Sequence, residues 1–304
     1  MQYGGPARWS LPPNSEFGED FLMLMLVLAI ACSVIISVGM RVSERYVRHR
    51  MAMFAVNYAV CLLLSRLFIG DLPLLTAQQG IGTAAALGAV SGLLYLVSFM
   101  LLQRNIRESG MVLSSASMKL GGVLVPVLVS VLFFGGALHA RLIFGTALAL
   151  AAILLMNLEP GSFRLDGLKS GLLCLLLCSG ITDTMASVYD QAGAPAFRNH
   201  YLFFTFLAAL VIALGMAIYK KEKPQPADLL FGVLIGIPNY FSSRFLLLSL
   251  AEVPAVVAYP VFSIGTLLII SLIGISVFHE QLSRRKLCAM VLIALALFLL
   301  NAAG

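Results

Sequence analysis

GAVSGLLYLVSFMLLQRNI at residues 88–106 and GVLIGIPNYFSSRFLLLSL at residues 232–250 lie 144 positions apart and read as one segment written twice. Gly88 matches Gly232 and Gly92 matches Gly236. The register then runs without a gap from 88–157 onto 232–301, with 16 of 70 positions identical. Leucine matches carry little in so oily a chain. Glu108 with Glu252, Gly121 with Gly265, Arg141 with Arg285 and Asn157 with Asn301 carry more. Upstream the likeness is weaker and rests on Cys32-Ser33 against Cys178-Ser179.

The repeat sits in a chain built for lipid. Of 304 residues 60% are hydrophobic and 11% charged, and the mean hydropathy is +0.98. Soluble domains carry about 25% charged residues. The apolar residues come in runs long enough to cross about 30 Å of hydrocarbon as helix. Ten runs are read, at 21–40, 51–70, 81–103, 111–135, 139–157, 169–190, 198–219, 228–250, 254–278 and 284–302. They are too long for barrel strands, so the expected fold is an all-α membrane protein. Residues 1–20 form a polar N-terminal tail, unless translation starts at Met23 or Met25.

Ten runs divide into a first five-helix repeat, 21–158, and a second, 169–304. Because five is odd, the second unit must enter the membrane the opposite way. That predicts ten transmembrane helices as two inverted five-helix repeats, an architecture of secondary transporters whose substrate sites lie between the halves. The G-x-x-x-G pairs would let helices approach closely.

The plan, together with VFHEQLSRRKLCAMVLIALALFLLN at 277–301, resembles the EamA-like permeases of the drug/metabolite transporter superfamily. The resemblance covers nearly all the chain after residue 20. It implies transport, without fixing a substrate: relatives are associated with amino acids, sugars, nucleosides, drugs and phosphorylated metabolites. The family carries a Glu before the last helix of each repeat. Glu280 matches it, whereas Gly136 stands at the first-repeat position.

Lys and Arg count fourteen in the odd-numbered connections and three in the even ones and the termini, Arg198 among the three. The positive-inside rule therefore puts the odd connections in the cytoplasm and both termini outside the inner membrane. The resemblance implies cytoplasmic termini instead; the charge bias is followed here.

The other three basic residues, Arg66, Lys119 and Arg244, lie within runs, as does Asp183. Charge there is costly and turns toward a bundle interior or a wet cavity. Arg66 lies near a run end, where it can snorkel. For Arg244 snorkelling and function both stay open. The sixth run gathers Gly180, Asp183, Thr184 and Ser187 on one arc, and the eighth gathers Gly232, Gly236, Asn239, Tyr240, Ser243 and Arg244. Tyr95 is the repeat counterpart of Asn239. In the fourth and ninth runs the stripe of Ser115 and Lys119 corresponds to Tyr259 and Ser263. The candidate substrate-binding residues are thus Asp183, Asn239, Tyr240, Ser243, Arg244, Lys119, Tyr259 and Tyr95. Pro238, lacking an N–H, is expected to kink or open the eighth run at 234–238, with Arg244 holding an anion or pairing with Asp183.

No P-loop motif is present, so a solute or proton gradient is the expected energy source. A net intramembrane charge of +2 points to an anionic or zwitterionic substrate. A membrane-embedded enzyme and a channel are the alternatives. The four histidines sit at run ends and the five cysteines lie in apolar runs, so no catalytic or metal set is read, and no cofactor. The expected partners are a small-molecule substrate and the bilayer, with a homodimer left open and no nucleic acid.

Overall fold

The computed structural model describes residues 19–69, 80–133, 170–249, 255–280 and 283–301, with isolated helical residues between 144 and 155. The described residues are helical and contain no strand. Nine α-helices have defined ends: α1 Glu19–Tyr46, α2 Arg50–Ile69, α3 Ile81–Ser109, α4 Met111–Phe133, α5 Ser170–Ala192, α6 Arg198–Tyr219, α7 Pro226–Ser249, α8 Ala255–Ser276 and α9 Arg284–Asn301. Five of them (α1, α2, α3, α6 and α7) are long and apolar enough over their described residues to span a membrane. Most of the fifth predicted run, Gly136 and most of the N-terminal tail lie outside the described residues.

The helices pair in a pattern that survives exchanging α1 with α5, α2 with α6, α3 with α7 and α4 with α8. Helix α3 packs on α6 as α7 packs on α2; α3 on α5 as α7 on α1; α4 on α5 as α8 on α1; α2 packs on α6. The glycine pairs set two of these contacts. A Cβ on Gly88 would meet Phe204 Cβ at 2.8 Å and Tyr201 O at 3.0 Å, and one on Gly92 would overlap Thr205 O. On α7, a Cβ at Gly232 would meet Val56 Cβ at 2.6 Å and Met53 O at 2.8 Å, and one at Gly236 Asn57 O at 2.8 Å. Both interfaces thus depend on backbone approaches only glycine permits.

These contacts fix a register that sequence alone did not reveal. Tyr201, Phe204 and Thr205 stand to α3 as Met53, Val56 and Asn57 stand to α7, an offset of 148 between α2 and α6. Burial follows it: Ala52, Met53, Asn57, Tyr58, Cys61 and Ser65 are buried, and so are His200, Tyr201, Thr205, Phe206, Ala209 and Ala213. Between α1 and α5 the offset is 146, the one Cys32 and Cys178 suggest. Leu26, Ala29, Ile30 and Ser33 are buried as Leu172, Leu175, Leu176 and Ser179 are. The offset changes between helices because the connecting loops differ in length.

At the end where α1 turns into α2, here the basic face, carboxylates of the second half hold helix starts of the first. Asp228, fully buried, accepts from the N–H groups of Arg48 (3.0 Å), His49 (3.3 Å) and Gln225 (2.8 Å). Glu222 accepts from Ala52 N–H at 2.9 Å. Glu280 accepts from Met111 N–H (2.6 Å) and Val112 N–H (3.2 Å) at the start of α4. Helix N-termini carry unpaired N–H groups and partial positive charge, so a carboxylate there satisfies both. Gly110, at φ +91°, divides α3 from α4, and a Cβ on it would strike the Glu280 carboxylate at 2.9 Å.

The expected opening at 234–238 is not seen: α7 runs unbroken through Pro238. Gly232, before that turn, and Gly236, within it, pack against α2, and the Gly236 carbonyl accepts from the Cys61 thiol at 3.3 Å. Close packing against α2 keeps the helix whole.

Candidate functional site

A cavity of about 240 Å³ is lined by residues of α1, α3, α4, α5, α6, α7 and α8. Its middle is lined in matched pairs. Ser33, Ile36 and Ser37 of α1 answer Ser179, Thr182 and Asp183 of α5. Tyr95, Ser98, Phe99 and Leu102 of α3 answer Asn239, Ser242, Ser243 and Leu246 of α7. Met118 and Lys119 of α4 answer Phe262 and Ser263 of α8. The Tyr95 hydroxyl donates to Asn239 Oδ1 at 3.1 Å. Those two residues occupy the same position of the 144-residue sequence repeat.

Charge breaks the match. Lys119 faces Ser263 in the pairing, and Asp183 faces Ser37. Lys119 Nζ lies 3.8 Å from the centroid of the Phe262 ring, a cation–π contact. Lys119 and Asp183 interact electrostatically across the α4–α5 interface. Asp183 Oδ2 lies so close to Gly122, one turn beyond Lys119, that a Cβ there would overlap it. Asp183 therefore sits against α4 while its side chain stays accessible from the cavity.

The wall hydroxyls are mostly engaged. Thr182 donates to Cys178 O at 2.8 Å, and its hydroxyl lies 3.1 Å from that of Ser98, which is also within reach of Cys178 Sγ at 3.3 Å. Thr205 donates to Tyr201 O at 2.8 Å, Ser242 to Ala29 O at 3.3 Å and Ser115 to Ser37 at 3.2 Å. A hydroxyl whose proton is committed still accepts through its oxygen, so much of this wall is acceptor surface.

Of the eight predicted residues, Tyr95, Lys119, Asp183, Asn239 and Ser243 line the cavity. Tyr240 and Arg244 do not. Tyr240 is buried, and the Arg244 guanidinium lies 3.8 Å over the Phe68 ring and donates to the Tyr240 hydroxyl at 3.4 Å. The polar arc read on this helix was too wide. The cavity takes the stripe 239, 242, 243 and 246, while 240 and 244 point about 100° away toward α2. The side chain of Tyr259 lies outside the described residues.

Sequence reasoning missed Arg198. Counted there as a loop residue, it begins α6 and lines the cavity with Ser91, Tyr189, Tyr201 and Leu202, where the cavity reaches the end opposite the basic face. Its offset of 148 from Arg50 was a signal that a uniform shift of 144 hid.

A relative in Haemophilus influenzae, described as an uncharacterized protein, is 23% identical over 287 residues, covering 90% of this chain and 96% of its own. A solved crystal structure superposes with a TM-score of 0.60 at 13% identity, covering 93% of this chain and 96% of that one, a likeness of fold. Residues 169–302 match the EamA-like transporter family, part of the drug/metabolite transporter superfamily.

Proposed function

We propose that the protein is a secondary active transporter of a small polar metabolite, anionic or zwitterionic, working by alternating access. The observation that carries this reading is the cavity between matched halves, with Lys119 and Asp183 breaking its symmetry. The described lining charges, Lys119, Arg198 and Asp183, sum to one net positive charge. The volume lies below the roughly 300–1,000 Å³ of sites for drug-sized ligands, which favours a metabolite. Asp183, Lys119, Asn239, Ser243 and Tyr95 are the proposed substrate contacts, and Arg198 joins them at the mouth.

The same reading takes 21–158 and 169–304 as inverted repeats of five spans each. The exchange pattern of helix contacts and the Tyr95–Asn239 bond support it. The basic face is proposed to be cytoplasmic, in an inner membrane. Purified protein in proteoliposomes tests the function. A transporter gives saturable counterflow of at least one small anionic or zwitterionic metabolite, lost on Lys119→Ala. Non-saturating flux would support a channel, and turnover of the solute would support an enzyme.

A further inference from the structure

Lys119, Gly122 and Asp183 have counterparts that carry hydroxyls in their place: Ser263, Thr266 and Ser37. The contacts uphold this pairing. A Cβ on Gly121 of α4 would overlap Leu176 O of α5. One on Gly265 of α8 would lie 2.9 Å from Cδ1 of Ile30 in α1, 146 positions before Leu176. Thr266 therefore turns toward α1 at Ser37, as a Cβ on Gly122 would turn toward Asp183. Ser115 of α4 joins this wall and donates to Ser37 at 3.2 Å, so the Ser37 hydroxyl still has a proton to give. Ser37, Ser115 and Ser263 all line the cavity.

We propose that this wall is a second subsite, which takes an uncharged hydroxyl of the substrate while Lys119 and Asp183 take its charged end. The substrate class is then a small anion or zwitterion carrying a hydroxyl about one helical turn, roughly 6 Å, from its charge. This inference rests on the transporter reading above.

Thr266 supports the subsite independently of the repeat. A threonine inside an apolar helix can return its proton to the carbonyl four residues back. Thr182, Thr184 and Thr205 do so, each at 2.8 Å. Thr266 is fully buried, and its Oγ1 has no hydrogen-bond partner among the described residues. Leaving such a group dry is costly, and native proteins keep few of them. A ligand hydroxyl, which both donates and accepts, satisfies it. A second charge on the ligand would not be served here, because among the described residues α1 and α8 bring no charged side chain to the lining. Ser115 lies one turn nearer the basic face than Lys119, so the hydroxyl sits deeper than the charge and away from Arg198 at the mouth.

Ligand-dependent thermal stability of the purified protein tests this, with probes that differ by one oxygen: 4-hydroxybutyrate against butyrate, and 5-hydroxynorvaline against norvaline. In the parent the hydroxylated member of at least one pair binds about tenfold tighter or more, the worth of satisfying one buried polar group. Thr266→Val keeps the shape and removes the hydroxyl. It leaves the ligand-free Tm unchanged or higher, since no hydrogen bond is lost, and cuts the preference to about twofold or less. Ser263→Ala cuts it by about threefold or more, and reads the same subsite should Thr266→Val not fold. A preference that survives both substitutions overturns the subsite, as does a lower ligand-free Tm in Thr266→Val. Equal binding of both members in each pair overturns it as well, the hydroxyls then holding water only, and so does binding of no probe. Counterflow of the same probes in proteoliposomes separates this from the transporter reading. Equal exchange of both members rejects the subsite and keeps the transporter. Selective binding without any counterflow keeps the subsite and rejects the transporter.

Discussion

Arg244 and Asp183 are both charges within apolar runs, and the structure gives them different surroundings. Arg244 lies over Phe68, outside the cavity. Arg244→Lys should leave counterflow within about twofold of the parent, and Arg244→Ala should cost about 1 kcal/mol of stability through the lost cation–π contact. A large transport defect in Arg244→Lys with normal thermal stability would return this residue to the site. Asp183 faces the cavity beside Lys119. Asp183→Asn keeps the volume and removes the charge. If Asp183 carries the coupling proton, gradient-driven uptake in that variant falls at least about tenfold while exchange continues, because translocation no longer depends on protonation. Proton-driven uptake at the parental rate, measured beside exchange, would sink that role.

Among the elements, α3 and α7 do the same task in the two halves, each laying a glycine pair against a neighbour. Gly92→Val and Gly236→Val should both destabilise, by about 1–3 kcal/mol each, since the added carbons meet backbone that cannot retreat. Thermal unfolding of the detergent-solubilised variants measures this. Gly82 and Gly215 have open space where a Cβ would go, and Gly215→Ala, in mid-helix, should be neutral or slightly stabilising. If all three behave alike, helix propensity rather than close approach sets these positions. The helix starts differ in how they are held. Glu280→Ala removes the acceptor for two N–H groups of α4, at a cost of about 0.5–2 kcal/mol.

For the whole molecule, charge bias sets the expected orientation. Fourteen basic residues against three favour a cytoplasmic basic face. A reporter enzyme active only in the cytoplasm and fused after Gly304 should then stay inactive, whereas an active fusion reverses the orientation. What the sequence determined by itself was the membrane class, the position of most helices and the repeat. Run length, hydropathy and an ungapped register are local properties that survive without tertiary contacts. Asp183, Lys119, Asn239, Ser243 and Tyr95 were legible as site candidates because charge and hydroxyls are rare in such runs and shared helix faces. The tertiary structure alone decided which part of each polar arc meets the cavity, and so separated Asn239 and Ser243 from Tyr240 and Arg244. It also supplied the offset of 148, which pairs Arg198, a lining residue, with Arg50. Helix rotation and pairing are set by backbone approach at a few glycines and by carboxylates reaching across between the halves. Those contacts join residues up to about 180 positions apart, and no pattern within one run records them.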